Sequence, residues 1–150
     1  MECVVLRIQS LMEGRCEHFS HQADIGVRGI GATKEQAFEQ AALALTAVIT
    51  DVNSIEPRRR VSVICEAPSD ELLLVDWLNA IIYEIATKKI LFSRFEVHID
   101  AGKLSGSLWG QDVDVVKHEP AVEIKGATYT ELKVCRDNQG RWIAQCVVDV

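Results

Sequence analysis

Two aspartates lie far apart in this sequence, each at the end of an apolar, strand-like segment. Asp24 stands between Ala23 and Ile25, whereas Asp149 follows Val147-Val148 and precedes Val150 and the terminal carboxylate. A carboxylate in such surroundings is costly to desolvate unless a partner group stabilises its charge. If the last strand lies beside Asp24, three acidic groups meet, and like charges at that spacing need a cation. An all-oxygen set of ligands suits calcium, magnesium or manganese better than zinc.

Each charged residue of this set also has a structural explanation. Asp24 precedes Ile25-Gly26, where a carboxylate can bond to backbone amides at a bulge or turn. A last strand frays unless other segments hold it. Asp51 follows a predicted helix and is most simply a polar residue of the helix end. Lys125, between Ile124 and Gly126, either extends its ammonium into solvent or holds an anion beside the acidic groups. The residues alone leave these alternatives open.

Histidines and cysteines add no recognisable catalytic set. His18 and His21 are three residues apart, so on a strand they point to opposite faces and do not bind one metal together. His21 alone is either a hydrogen-bonded structural histidine or a general base. The sequence has no Walker loop, no dinucleotide-binding glycine fingerprint, no paired-histidine zinc helix and no nucleophile elbow.

Two helices and several strands are expected to position these residues. Residues 15 to 30 alternate as one or two strands, and Thr33 with Gln36 forms a capping-box signature before a helix that ends near Thr50. A second helix starts after Ser69 and runs to about Lys88. The order β, α, β, α and then several strands predicts a single α+β domain, in which two helices pack on a largely antiparallel sheet.

The last third of the sequence is rich in strands. Residues 95–99 and 104–109 flank the turn Asp100-Ala101-Gly102, which predicts a hairpin. Residues 123–134 and 141–150 predict a second pair of strands, joined by a turn in which Gly140 takes positive φ.

The composition limits the classes of function. The chain has 150 residues, 48% of them hydrophobic, and 16 Lys and Arg against 22 Asp and Glu give a net charge of −6. An acidic chain is a poor non-specific nucleic-acid binder, so we expect no strong direct binding to nucleic acid. Five cysteines without metal-finger spacing indicate a reducing cytoplasm, and no apolar run is long enough for a membrane span. Residues 1–15 are expected to be a disordered extension before a domain at 16–150, with Met1 and Met12 both open as the start.

Several segments together resemble the archease family, in an order and spacing that cover about residues 16 to 150. The matching segments are His21-Gln22-Ala23-Asp24-Ile25-Gly26, Gly31-Ala32-Thr33-Lys34-Glu35-Gln36-Ala37-Phe38, Leu74-Val75-Asp76-Trp77-Leu78-Asn79, Leu91-Phe92-Ser93-Arg94-Phe95, Leu108-Trp109-Gly110, Glu123-Ile124-Lys125-Gly126-Ala127-Thr128-Tyr129 and Val148-Asp149-Val150. Three positions depart from the family pattern: Gln22 replaces a threonine, Gly126 an alanine, and Thr130 a common histidine.

The resemblance implies an accessory protein without a catalytic activity of its own. Archeases assist the RtcB-type RNA ligase of tRNA splicing and RNA repair, where they promote guanylylation of the ligase by GTP and repeated turnover. The resemblance also implies a divalent cation, calcium with magnesium or manganese as alternatives, on Asp24, Asp149 and the terminal residue Val150. It makes Lys125 a functional neighbour of that site, with His21 and Asp51 as further candidates.

Two competing hypotheses belong to other classes. In the first, the protein is a small metal-dependent phosphoester hydrolase, with Asp24 and Asp149 holding the ion and His21 acting as general base. In the second, it is a chaperone for nucleic-acid methyltransferases, a role proposed within the family. The hydrolase predicts turnover by the pure protein, whereas the chaperone predicts reduced aggregation of its client without a nucleotide.

Overall fold

Two antiparallel sheets and two long helices make up most of residues 14–150, the part of the chain that the computed structural model describes. The elements follow in the order β1 Arg15–His21, β2 Asp24–Gly31, α1 Lys34–Ile49, a 3-10 turn Val52–Ser54, β3 Arg59–Glu66, α2 Asp70–Lys88, β4 Ile90–Asp100, β5 Lys103–Asp112, the short α3 Val115–His118, β6 Gly126–Ala127, β7 Lys133–Arg136 and β8 Trp142–Asp149. The predicted α+β class is confirmed. The predicted N-terminal extension falls almost entirely outside the described residues.

Both long helices begin where their capping residues predict. The Thr33 hydroxyl accepts a hydrogen bond from the Gln36 amide at 3.1 Å, and the Gln36 side chain accepts one from the Ala32 amide. In the same way the Ser69 hydroxyl accepts from the Leu72 amide before α2. These bonds satisfy amides that have no partner within the helix. Neither helix in residues 14–150 is long and apolar enough to cross a membrane.

The two sheets are assembled from different parts of the chain. The larger sheet has five strands in the order β1-β2-β8-β6, and β7 pairs with β8 beside β6. It therefore joins the first strands of the described chain to the last one. The smaller sheet has the order β3-β5-β4 and contains the predicted hairpin of β4 and β5.

Trp77 connects the two helices to the smaller sheet. Its buried indole donates a hydrogen bond to the carbonyl of Phe38 on α1 at 3.1 Å, and its ring meets the ring of Phe95 edge-on at 6.1 Å. Gly106 on β5 leaves room for this ring, because a Cβ there would lie 2.3 Å from Trp77. The indole N–H thus has a partner inside the core, as a buried tryptophan requires.

One expectation about the last third is wrong in detail. The strand predicted for residues 123–134 is only two short strands, β6 and β7. Residues 129–131 turn between them, with Glu131 at positive φ, although the amide of Thr128 still donates to the carbonyl of Val147 in β8. His118 ends α3 and is 2% exposed. The amide of Asp114 donates to its Nδ1 at 2.9 Å.

Candidate metal-binding site

The register of the larger sheet brings the two predicted aspartates together. Ile25 lies opposite Val148 in the antiparallel pair of β2 and β8, and the next step of the same register puts Asp24 opposite Asp149. Both aspartates lie within their strands. Directly opposite residues of an antiparallel pair have side chains on the same face, with Cβ atoms roughly 4.5–5.5 Å apart. Continued by one residue, the register therefore predicts that the two carboxylates are neighbours at this end of the sheet.

The carboxylates lie on the sheet face that is turned away from α1. Gly29 marks the opposite face, because a Cβ there would lie 2.0 Å from the carbonyl oxygen of Ala37 in the helix. Alternation along the strand then puts Asp24 on the other face, together with Gly26 and Arg28. The ring of Phe19 covers Gly26, where a Cβ would lie 2.2 Å from it. This ring separates Asp24 from the next side chain of its own face, Arg28.

No cation of the described chain neutralises this pair of carboxylates. Arg28 is the nearest one along β2, but its guanidinium is bound to Glu17 at 3.0 Å and to the side chain of Gln145 at 2.8 Å. Within residues 14–150, neither Asp24 nor Asp149 forms an ion pair. Two adjacent carboxylates without a counter-charge repel each other, and a bound cation relieves that repulsion.

The end of the chain is held against the sheet. The amide of Lys125 donates to the carbonyl of Asp149 at 2.7 Å, and Gly126 lies opposite Asp149 in the pair of β6 and β8. The last strand is therefore bonded on both edges, to β2 and to β6. Val150 follows directly and is half-buried. These bonds hold the last strand in place, as a terminal strand requires if it is not to fray.

The three candidate neighbours have different positions. His21 lies opposite Asp24 across the β1–β2 turn, so its ring shares a face with the carboxylate. Lys125 lies just before β6, with an exposed side chain beside the last strand. Asp51 caps the 3-10 turn after α1, where its carboxylate accepts a hydrogen bond from the amide of Asn53 at 3.0 Å. His21 and Lys125 thus adjoin the acidic pair, whereas Asp51 has a structural role.

His18 and His21 lie on opposite faces, as their spacing predicts. His18 is opposite the buried Val27, and its ring bonds to the carbonyl of Ala44 in α1 at 2.7 Å. It therefore faces the helix and cannot reach the acidic end together with His21.

Sequence reasoning did not assign a role to Asn79 at this site. Its side-chain oxygen accepts a hydrogen bond from the amide of Ala127 at 2.9 Å, on the edge of β6 that faces away from β8. This bond fastens the short strand to α2 and thereby fixes the backbone next to Lys125. Nothing local in the sequence marks this contact, which joins residues 48 positions apart.

The chemistry of this group of donors fits a hard cation. No three His, Cys, Asp or Glu side chains of residues 14–150 are grouped to hold a metal. The donors would instead be two aspartate side chains and the carboxylate of Val150, which are all oxygen ligands. Calcium takes 6–8 oxygens, so such a site leaves positions for water or for groups from another molecule.

The comparisons with known proteins agree with the resemblance. The profile described as "Archease protein family (MTH1598/TM1083)" matches residues 16–150. The chain belongs to the archease family. The archease of Pyrococcus furiosus is 41% identical over 138 residues, which are 89% of this chain and 97% of the relative, and that of Pyrococcus abyssi is 39% identical over 140 residues, 91% and 99% of the two chains.

Two solved structures share the fold of this family member. The solution structure of Methanobacterium thermoautotrophicum protein 1598 is 33% identical and superimposes with a TM-score of 0.75, covering 90% of this chain and 98% of the other. The crystal structure of a Thermotoga maritima archease, described as a possible chaperone, has a TM-score of 0.59 over 89% and 96% of the chains. At 20% identity the second likeness shows the fold alone.

Proposed function

We propose that this archease is an accessory protein that activates an RtcB-type RNA ligase in tRNA splicing or RNA repair. It promotes guanylylation of the ligase by GTP and allows the ligase to turn over repeatedly. The observation that supports this proposal is the register of β2 and β8, in which Ile25 lies opposite Val148, so that Asp24 and Asp149 come next on the two strands. Neither aspartate forms an ion pair within residues 14–150. In this proposal the protein catalyses no reaction itself and acts only through the ligase.

Asp24, Asp149 and the carboxylate of Val150 hold the divalent cation in this proposal, calcium first and magnesium or manganese as alternatives. The cation supplies positive charge that attracts phosphate oxygens and offsets the carboxylate repulsion. His21 and Lys125 border the same end of the sheet, and Lys125 adds a cationic side chain that can meet an anionic group of the ligase or its nucleotide.

The test is RNA ligation by an RtcB-type ligase under single and multiple turnover, with and without this protein. We expect the wild-type protein to raise multiple-turnover ligation strongly and to accelerate formation of the guanylylated ligase. Asp24→Asn and Asp149→Asn should lose this stimulation. Asp51→Asn is the matched control, since Asp51 only caps a turn, and it should stimulate like the wild type.

Calcium binding is measured separately for the same variants by calorimetry. Loss of one of the two carboxylates should weaken calcium binding at least about tenfold, or ~1.4 kcal/mol. Stimulation that persists in both aspartate variants would remove the acidic pair from the mechanism. Phosphoester hydrolysis by the pure protein with added Mn²⁺ would instead support the hydrolase.

A further inference from the structure

The strand β3 forms an open edge of the smaller sheet. In the order β3-β5-β4 it has β5 on one side, and no other strand among residues 14–150 pairs with its outer side. It is eight residues long and alternates regularly between exposed and buried side chains. A regular exposed edge offers backbone donors and acceptors to another strand.

The hydrogen-bond pattern shows which residues face outward. The amide of Ala67 donates to the carbonyl of Gly102 at 3.1 Å, one step beyond the pair of Glu66 and Lys103. Because backbone groups alternate between the two edges of a strand, the odd-numbered residues of β3 bond to β5. The outward-facing ones are Arg60, Ser62, Ile64 and Glu66, whose side chains are all exposed.

Two charged residues without an ion-pair partner in the described chain, one positive and one negative, lie near opposite ends of this edge. Arg58 and Arg59 have carboxylate partners, Glu56 and Asp112. Arg60 has none within residues 14–150, since its guanidinium bonds to the hydroxyl of Ser107 at 2.9 Å and lies over the ring of Trp109. Glu66 likewise forms no ion pair with Lys103, the residue opposite it on β5.

We propose that β3 pairs with β3 of a second copy of this chain, antiparallel about a two-fold axis at Val63. In that register Arg60 lies opposite Glu66 of the second copy, and the reverse pair forms on the other side of the axis. Ser62 lies opposite Ile64 of the second copy, so that every bonded pair consists of residues whose backbone groups face outward. The axis joins two smaller sheets into one continuous sheet.

Other registers fit less well. An axis at Ile64 places Glu66 opposite Ser62 and leaves Arg60 without a charged partner. An axis at Ser62 places Glu66 opposite Arg58, which lies before the strand and whose amide already bonds to the carbonyl of Gly110 in β5 at 3.0 Å. The register centred on Val63 is therefore the one in which Arg60 and Glu66 both face an opposite charge within the strands, and opposite charges in facing positions stabilise a strand pair.

The proposed interface is separate from the acidic site. The site lies on β2 and β8 of the larger sheet, whereas β3 pairs with β5 and packs against α2. The dimer thus leaves the acidic pair of each copy uncovered. The proposal of a dimer does not depend on the proposed function. A single strand pair covers little area, so the dimer is expected at the weak end of specific interfaces.

Sedimentation velocity from low micromolar to near-millimolar concentration tests the proposal. The wild type should pass from monomer to dimer. Arg60→Glu and Glu66→Arg should each raise the dimer Kd about tenfold or more, because each creates two pairs of like charge. The variant that carries both changes should return to within about threefold of the wild type. Arg94→Glu, an exposed position of β4 in the same sheet, is the control and should leave the Kd unchanged.

A backbone variant tests the strand pairing itself. Ser62→Pro removes an amide that faces the open edge and not one that bonds to β5, so the fold should persist. It should abolish the dimer while its circular dichroism and ligase stimulation stay those of the wild type. A wild type that remains monomeric throughout, a double variant that fails to restore the dimer, or a Ser62→Pro protein that still dimerises would each overturn the proposal.

Discussion

The two sheets of this molecule differ in how far apart in the sequence their paired strands lie. The hairpin of β4 and β5 in the smaller sheet joins neighbours in the sequence through the turn of Ala101 and Gly102. In the larger sheet, the side chains of Arg28 and Gln145 meet across 117 residues. The acidic pair lies in the larger sheet, at one end of the pair of β2 and β8.

This difference shows that the candidate site exists only in the folded chain. Closing β2 against β8 brings two carboxylates together, so charge repulsion opposes the strand pairing at that end. The rest of the same strand pair offsets the repulsion with buried residues such as Val27, Cys146 and Val148. A local cost inside an otherwise consistent fold is expected at a functional site.

The largest effect is expected where the larger sheet meets α1. In Gly29→Ala the new Cβ would lie 2.0 Å from the carbonyl oxygen of Ala37 and 2.3 Å from the amide nitrogen of Ala41. Both atoms belong to the helix backbone, which must shift as a unit. We expect a loss of about 3 kcal/mol or more in the free energy of unfolding, measured with urea.

Gly126→Ala is the control for this substitution. Its nearest neighbour would be the side-chain oxygen of Asn79 at 3.6 Å, which is an ordinary contact. The free energy of unfolding should change by less than about 0.5 kcal/mol. If Gly29→Ala were equally harmless, the close contact between the larger sheet and α1 would not hold the two together as described.

The corresponding test of the smaller sheet is Trp77→Phe. The substitution leaves a gap beside Gly106 and removes the donor for the Phe38 carbonyl. We expect a loss of about 2 kcal/mol, from the cavity and the hydrogen bond together. Trp109→Phe is the matched control, because this ring is only half-buried and stacks on Arg94 at 4.6 Å. A larger loss at Trp109 than at Trp77 would contradict the central position of Trp77.

The local parts of the fold were predictable from the sequence, because their signals lie within a few residues. Thr33 and Ser69 predicted the starts of both helices, and residues 100–102 predicted the hairpin. The strand predicted for residues 123–134 was wrong in extent, since its pattern does not reveal that residues 128–132 interrupt it. Alternation in the sequence describes one strand but not which neighbour it finds.

The residues of the candidate site were predicted from the sequence, whereas the contacts that surround them were not. Asp24 and Asp149 were marked by carboxylates in apolar strands, and their family pattern gave the pairing. That Asn79 fastens β6, and that Arg28 is already bound to Glu17, follow only from contacts between distant segments. Such contacts leave no periodic signal along the chain.

Asp24→Asn separates the metal site from a structural role of the carboxylate. Without calcium, the substitution removes a like-charge pair and should raise the free energy of unfolding by about 0.5 kcal/mol. Calcium should raise the Tm of the wild type, because a ligand that binds only the folded state stabilises it, and should do so much less for the variant. Thermal unfolding in EDTA and in calcium measures both effects. Destabilisation in EDTA would favour the alternative in which Asp24 bonds to backbone amides.

The smallest expected effect compares the turns of the two sheets. Asp137, before β8, accepts hydrogen bonds from the amides of Gln139 and Arg141 and from the guanidinium of Arg141. Desolvation alone would raise the pKa of Asp137, but these bonds and the charge of Arg141 outweigh it and hold the pKa below the usual 3.8. The β4–β5 turn instead relies on backbone conformation, with φ of 49° at Ala101 and 78° at Gly102.

Asp137→Asn should therefore destabilise the protein slightly near neutral pH. A carboxyl whose pKa is lower in the folded state stabilises that state above its unfolded pKa, and the contribution is lost as the pH falls through the folded value. The difference between wild type and variant in the free energy of unfolding should thus shrink as the pH falls below about 4. A difference for Asp137→Asn that stays constant with pH would mean that the side-chain shape, and not its charge, holds the turn of the larger sheet.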